Sequence, residues 1–158
     1  MNATTQRVTD ALAALGVETA VIEFAESTRT AEEAAAAIGT QVGQIVKSLV
    51  FMAGDVPVLA LVSGTNRLDP ARLAEWTGEP PRRATADQVR AATGFAIGGV
   101  PPVGHPQPLR TFIDRDLTTY ETVYAAAGTP HTVFAIAPAE LVRMTNGRVI
   151  DLVVRSSD

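Results

Sequence analysis

The sequence contains no cysteine, so it can build neither a disulfide nor a thiolate metal site. Its two histidines, His105 and His131, are too few for a histidine-built one. No metal and no cofactor are expected. Aromatic residues make up only 5% of the chain, so the core has to be filled by Val, Leu, Ile and Ala. The longest strongly apolar run, 56–62, is far short of the ~20 residues that span a bilayer. The N-terminus MNATTQRVTD lacks the basic and apolar regions of a secretory signal. No membrane contact and a cytoplasmic location are therefore expected. Neither nucleotide-binding loop is present: no G-x-G-x-x-G follows a strand, and Lys47-Ser48 lacks the glycine that must immediately precede the lysine of a phosphate-cradling loop. Basic charge is in short supply too. Thirteen Lys and Arg face seventeen Asp and Glu, a net charge of −4, so any nucleic-acid contact has to be confined to a local patch. The sharpest scarcity is of lysine, with Lys47 alone among twelve arginines.

What is present fits an ordinary folded chain. At 158 residues with 46% hydrophobic and 19% charged residues, one domain spanning 1–158 is expected, able to bury about two-thirds of its unfolded surface. Val8, Leu12 and Leu15 recur at helical spacing before Gly16, predicting a helix over 4–15. Capping hydroxyls at 27–30, with Glu32 and Glu33 in the first turn, predict a helix over about 30–38. Asp69-Pro70 and Thr85 open two more helices that stop at Gly78 and Gly94, and Pro138 begins a short one. Strands are predicted at 19–24, 44–52, 56–62, 109–114, 121–127, 131–137 and 148–154. Ala53-Gly54-Asp55 and Gly128-Thr129-Pro130 read as hairpin connections. Strands arriving in hairpins with helices between them point to an α+β fold with a mixed, mainly antiparallel sheet.

Lys47 interrupts the apolar run QIVKSLVF, sharing a strand face with Ile45, Leu49 and Phe51. Two readings stay open: its stem lies along the core while the ammonium reaches water, or the ammonium lines a pocket and holds an anionic or carbonyl oxygen. A second candidate is the loop GFAIGGVPPVGH, 94–105, whose adjacent glycines expose backbone N–H groups and whose prolines stiffen the chain after them. An ordinary connection would have the same composition. Asp114, ending an apolar run, is either a partner for Lys47 across the sheet or a turn cap. His105 and His131 are acid–base candidates by residue type, though each flanks a loop. Arg67, Arg72, Arg82, Arg83 and Arg90 form either a phosphate-facing edge or a solvated face.

Taken together, QIVKSLVF, VSGTNRLD at 62–69, the glycine-proline loop and Thr111-Phe112-Ile113-Asp114 resemble the YbaK-type aminoacyl-tRNA deacylase family over most of the chain. That family is similar to the editing insertion of bacterial prolyl-tRNA synthetases. The resemblance implies a mixed sheet curled toward a barrel with flanking helices, and a free-standing hydrolase that cleaves the ester of mischarged aminoacyl-tRNA. It implies that Lys47 is the active-site lysine. Gly98-Gly99-Val100-Pro101-Pro102 matches the G-x-x-x-P loop that holds the 3′-terminal adenosine. Thr30 matches a threonine near the pocket mouth, and Asp114 falls at the family's acidic position. The first strand ends Glu23-Phe24 where some members carry a tyrosine, which leaves the substrate open. The expected catalytic set is Lys47, Gly98, Gly99 and Asp114. The expected substrate-binding set is Phe24, Thr30, Ser48, Val100, Pro101, Pro102 and His105. The expected partners are the CCA end of an aminoacyl-tRNA and, as an open second, an aminoacyl-tRNA synthetase. The alternative is a non-catalytic module that binds tRNA ends or a small anionic ligand and regulates a partner.

Overall fold

Two antiparallel hairpins supply the scaffold. The computed structural model describes residues 2–25 and 30–155. Its first half runs α1 (Ala3–Ala14), β1 (Val21–Glu23), α2 (Ala31–Ile38), a 3-10 turn (Val42–Gln44), β2 (Val46–Ala53), β3 (Val56–Ser63) and α3 (Pro70–Thr77). Its second half runs β4 (Arg82–Arg83), α4 (Ala86–Thr93), β5 (Arg110–Asp114), a 3-10 segment (Arg115–Thr119), β6 (Val123–Ala126), β7 (Thr132–Ile136), α5 (Pro138–Thr145) and β8 (Arg148–Ile150). Each α-helix begins where the sequence places a cap or a proline. The side chains of Asn2, Thr30, Asp69 and Thr85 accept backbone N–H groups of α1 to α4, while Pro138 opens α5. Gly39, Gly78 and Gly94 end α2, α3 and α4 in the left-handed conformation.

The strands form a three-stranded sheet ordered β1-β7-β6 and a five-stranded sheet ordered β4-β2-β3-β5-β8. Four of the six strand pairings are antiparallel, and β3–β5 and β5–β8 are parallel. The α+β expectation holds. The parallel pairs follow from connection length, since α3, β4, α4 and the glycine-proline loop all lie between β3 and β5, and a crossover of that size returns the chain in the same direction. The predicted last strand is shorter than expected: β8 stops at Ile150, and beyond it only Val153 bridges, to Leu68. The two-residue β4 and both 3-10 segments have no clear sequence signal.

The central strands of the five-stranded sheet, β2, β3 and β5, are buried on both faces over most of their length, which explains why they read as continuous apolar runs, whereas the edge strands β4 and β8 are largely exposed. Val46, Val50, Leu59, Leu61 and Ile113 face one core, shared with Val8 and Leu12 of α1, Phe134 of β7 and Leu141 of α5. Phe51, Val58, Ala60, Val62 and Phe112 face a second core closed by Leu68, Leu73 and Leu152. The two sheets meet at one parallel bridge, Ile45 with Tyr124, and then separate, so the curl toward a barrel leaves an opening between β2 and β6. On its outer side β2 is paired by β4 only at Phe51 and Met52, and Val50 C=O accepts the N–H of Ala84 at 3.0 Å. Backbone groups alternate along a strand, so those of Ser48 point out of the same edge, into the opening.

Candidate active site

The opening between the sheets is a cavity of about 270 Å³. One wall is the edge of β2 from Val46 to Leu49, and the opposite wall is Tyr124 and Ala126 of β6 with Thr132 and Val133 of β7. The N-terminus of α2 closes one end with Thr30, Ala31 and Ala34. Ile97, Gly98 and Val100 of the glycine-proline loop, with Thr129 and Pro130 of the β6–β7 connection, form the rim. Arg83 reaches in from β4. Among the described residues, no acidic side chain and no histidine lines the cavity.

Lys47 is half-buried on the wall, and its Nζ donates to the carbonyl of Asn66. Burial pushes its pKa below the ordinary lysine value, the carboxylates of Glu32 and Asp114 pull it back up, and the guanidinium of Arg83 pushes it down again. The Asn66 carbonyl is held in place from behind. Asn66 Nδ2 donates to Asp114 Oδ2 and to Asp116 Oδ2, each at 2.8 Å. Asp114 is fully buried and also accepts the N–H of Ser63 at 3.0 Å and that of Asp116 at 2.9 Å. Asp114 thus caps the segment after β5, and its Oδ2 also holds Asn66, the residue whose carbonyl accepts from Lys47. Lys47 and Asp114 do not form an ion pair, and Asp114 does not line the cavity. A carboxylate accepting several hydrogen bonds is a strong fixed anchor in such a place.

The two glycines of the loop do different things. Gly98 has a φ of +93°, a conformation open to glycine at little cost. A Cβ at Gly99 would lie 2.6 Å from the carbonyl oxygen of Gly128 and 2.8 Å from Cα of Thr129, so the absent side chain lets the loop pack backbone to backbone against the β6–β7 connection. Gly99 N–H is already used, donating to Ala96 C=O at 3.1 Å. Pro101 and Pro102 are buried behind the rim, and the Pro101 carbonyl accepts from His105 Nε2 at 2.8 Å. His105 faces a separate cavity with Pro102, and its burial pushes the imidazole pKa down although the Pro101 hydrogen bond raises it. A neutral, donating His105 braces the loop from outside the site.

Of the residues expected from the sequence, Lys47, Ser48, Gly98, Val100 and Thr30 meet at one cavity. Gly99, Pro101, Pro102 and His105 shape the loop without lining that cavity, and Asp114 lies beneath Lys47's anchor. Phe24 does not line it either; its N–H extends the β1–β7 pairing by donating to His131 C=O at 2.7 Å. Ser48 Oγ is buried and has no hydrogen-bond partner among the described residues. Tyr124, Ala126, Ile97, Thr129 and Pro130 belong to the site without having been expected. Ile97 is 55% exposed on the rim of the cavity.

The model of the aminoacyl-tRNA editing domain family matches residues 25–144. A Bacillus subtilis protein named YwhH, described as uncharacterized, is 32% identical over 133 residues, covering 84% of this chain and 85% of its own. EbsC of Enterococcus faecalis, named as a candidate Cys-tRNA(Pro)/Cys-tRNA(Cys) deacylase, is 28% identical over 84% of each chain. The proline–tRNA ligase of Nitratidesulfovibrio vulgaris is 38% identical over 89 residues, a match to 56% of this chain but only 16% of the ligase. Among solved structures, a candidate trans-editing enzyme for prolyl-tRNA synthetase superposes with a TM-score of 0.94 at 49% identity, covering 98% of this chain and 99% of the other. With the family model spanning residues 25–144 and a relative 32% identical over 84% of the chain, this chain belongs to the aminoacyl-tRNA editing domain family.

Proposed function

We propose that the protein is a free-standing hydrolase that cleaves the ester bond of mischarged aminoacyl-tRNA, with Lys47 and the Gly98 to Pro102 loop positioning the aminoacyl-adenosine end. The observation that carries this reading is that the ammonium and the loop border one cavity whose described lining holds no acidic residue. The N–H groups of Gly98 and Val100 have no acceptor among the described residues, and on this reading they and Lys47 face the ester carbonyl. Water adds to that carbonyl carbon, the negative charge that develops on its oxygen is met by these donors, and the bond to the ribose oxygen breaks. Of the water's two protons one passes to the departing ribose oxygen and the other is released to solvent, so the amino acid leaves as a carboxylate. No described side chain on the cavity wall is a strong base, so the substrate's own neighbouring hydroxyl would assist the water. The protein's part is position and electrostatics, and one well-aimed donor of this kind is worth roughly 3 kcal/mol, a factor of ~10².

The test is release of amino acid from a panel of correctly and incorrectly charged tRNAs, beginning with Cys-tRNA(Pro) because the Enterococcus relative is named for it. Wild type is expected to discharge a few mischarged species, and Lys47→Ala and Lys47→Arg to lose about 10² in kcat/KM. Arginine's larger planar fork does not place its charge where a compact ammonium does. Wild-type activity in both variants would refute the role of Lys47. Binding of tRNA without any release would favour the non-catalytic module, for which the lack of a general base among the described residues of the cavity wall is the supporting feature.

A further inference from the structure

Lys47 borders a second cleft, of about 450 Å³, on the other side of β2 from the first cavity. The two share Lys47, Leu49 and Arg83, so they form one continuous surface around the open edge of the strand. The floor of the second cleft is apolar, with Phe51 and Leu68 buried beneath it, and its rim carries Lys47, Arg67 and Arg83. Among the described residues no acidic side chain lines it. Neither Arg67 nor Arg83 forms an ion pair among the described residues, a property shared by Arg7, Arg82, Arg90, Arg110 and Arg148, so what sets this pair apart is that both line one cleft with Lys47. Arg83 instead lies over the ring of Phe51, 5.6 Å from its centroid. In a chain of net charge −4, three cations around one cleft repel one another and are a local exception to the acidic surface. Arg67 stands on a rigid base: its carbonyl accepts Val154 N–H at 2.8 Å, and the preceding Asn66 is the residue tied to Asp114 and Asp116.

We propose that this cleft holds the phosphodiester immediately preceding the terminal nucleotide of a single-stranded RNA end, with Arg67 and Arg83 as its ligands. The proposal rests on the reading of the first cavity as the seat of the terminal aminoacyl-adenosine. A nucleotide chain leaving that cavity past Lys47 enters the second cleft directly, its phosphate meets guanidinium groups suited to bidentate contact, and its sugar and base find an apolar floor. The arrangement also explains how an acidic protein holds RNA, by a confined contact with few phosphates.

The test is a binding cycle that does not depend on catalysis. A labelled RNA ending in CCA and carrying a non-hydrolysable aminoacyl amide is compared with the same RNA in which the last phosphodiester is an uncharged methylphosphonate. Each is titrated against wild type and Arg67→Ala by fluorescence anisotropy. Losing either the charge or Arg67 is expected to weaken binding about tenfold, and losing both to cost little more than losing one. The slope of log affinity against log salt should become shallower by ~0.7 in Arg67→Ala. Arg67→Lys, which keeps the charge, should recover part of the loss, separating charge from fold. Additive losses, an unchanged affinity in Arg67→Ala, or equal competition by inorganic phosphate alone would overturn the proposal. Coupled losses in a protein that releases no amino acid would leave the cleft standing and remove the hydrolase reading; release that is insensitive to Arg67, with no coupling, would do the reverse.

Discussion

At Ser48 a single atom lets stability be read separately from the proposed activity. Its hydroxyl is buried on the cavity wall without a partner among the described residues, and an unmet polar group of that kind costs about 1–3 kcal/mol in the folded state. Replacing it with an apolar side chain of similar size removes the cost. Ser48→Ala is therefore expected to melt at the same temperature as wild type or higher, while losing activity on a mischarged aminoacyl-tRNA. Thermal unfolding and single-turnover deacylation on the same preparations check this, and a lower melting temperature would mean that the hydroxyl is satisfied in the free protein. Lys47 is the opposite case, because its ammonium is satisfied by the Asn66 carbonyl and still faces the cavity. Lys47 lines both the cavity and the neighbouring cleft, and the role of its ammonium there belongs to the proposed function.

At the scale of elements, the site depends on two loops that touch through their backbones. The glycine-proline loop and the β6–β7 connection meet at Gly99 and Gly128, and neither would approach so closely with a side chain at Gly99. A methyl group there meets main-chain atoms that cannot rotate away. Gly99→Ala is expected to destabilise the protein by about 1–3 kcal/mol and to move Gly98 and Val100 off the rim, lowering kcat/KM more than stability alone explains. Denaturant unfolding read beside kinetics well below the transition distinguishes the two losses. If activity is retained when Gly99→Ala is fully folded, the loop does not position the substrate. His105 is hydrogen-bonded to the Pro101 carbonyl and lines a different cavity.

At the scale of the molecule, the chain after β8 is tied back across the five-stranded sheet by Arg155. Its Nη1 donates to Asp116 Oδ2 at 2.8 Å and its Nε to Asp151 Oδ1 at 3.0 Å, while Asp116 also accepts from Asn66. The hydrogen bond from Arg155 is the main reason that the Asp116 carboxyl lies below its ordinary pKa; burial opposes the shift, and Asn66 adds to it. A carboxyl with a depressed folded pKa contributes stability that is present above its unfolded value, about 3.9, and is lost as pH falls through the folded value. Arg155→Ala is therefore expected to be less stable than wild type at pH 7 and equal to it near pH 2. Because the groups are a third exposed, the difference is about 1 kcal/mol or less, a few degrees in Tm. Melting curves across that pH range decide it, and a gap that persists undiminished into acid would assign the effect to packing.

Local chemistry determined much of this protein without help from the fold. Caps at Thr30, Asp69 and Thr85 and stops at Gly39, Gly78 and Gly94 set the helices, because a cap is satisfied within one turn of chain. Apolar runs bounded by turn residues marked the hairpins, and the lone lysine inside one of them lines the candidate cavity. The tertiary structure alone decided what stands opposite Lys47. Tyr124, Thr129 and Pro130 lie about eighty residues away in sequence and reach the cavity only because the two sheets join at Ile45 and Tyr124 and then part. It also decided that Asp114 holds Asn66, whose carbonyl accepts from Lys47, and that Arg83 and Arg67 share a cleft with Lys47. A side chain's type is written in the sequence; its neighbours are set by strand pairings between distant segments, and no local pattern encodes those.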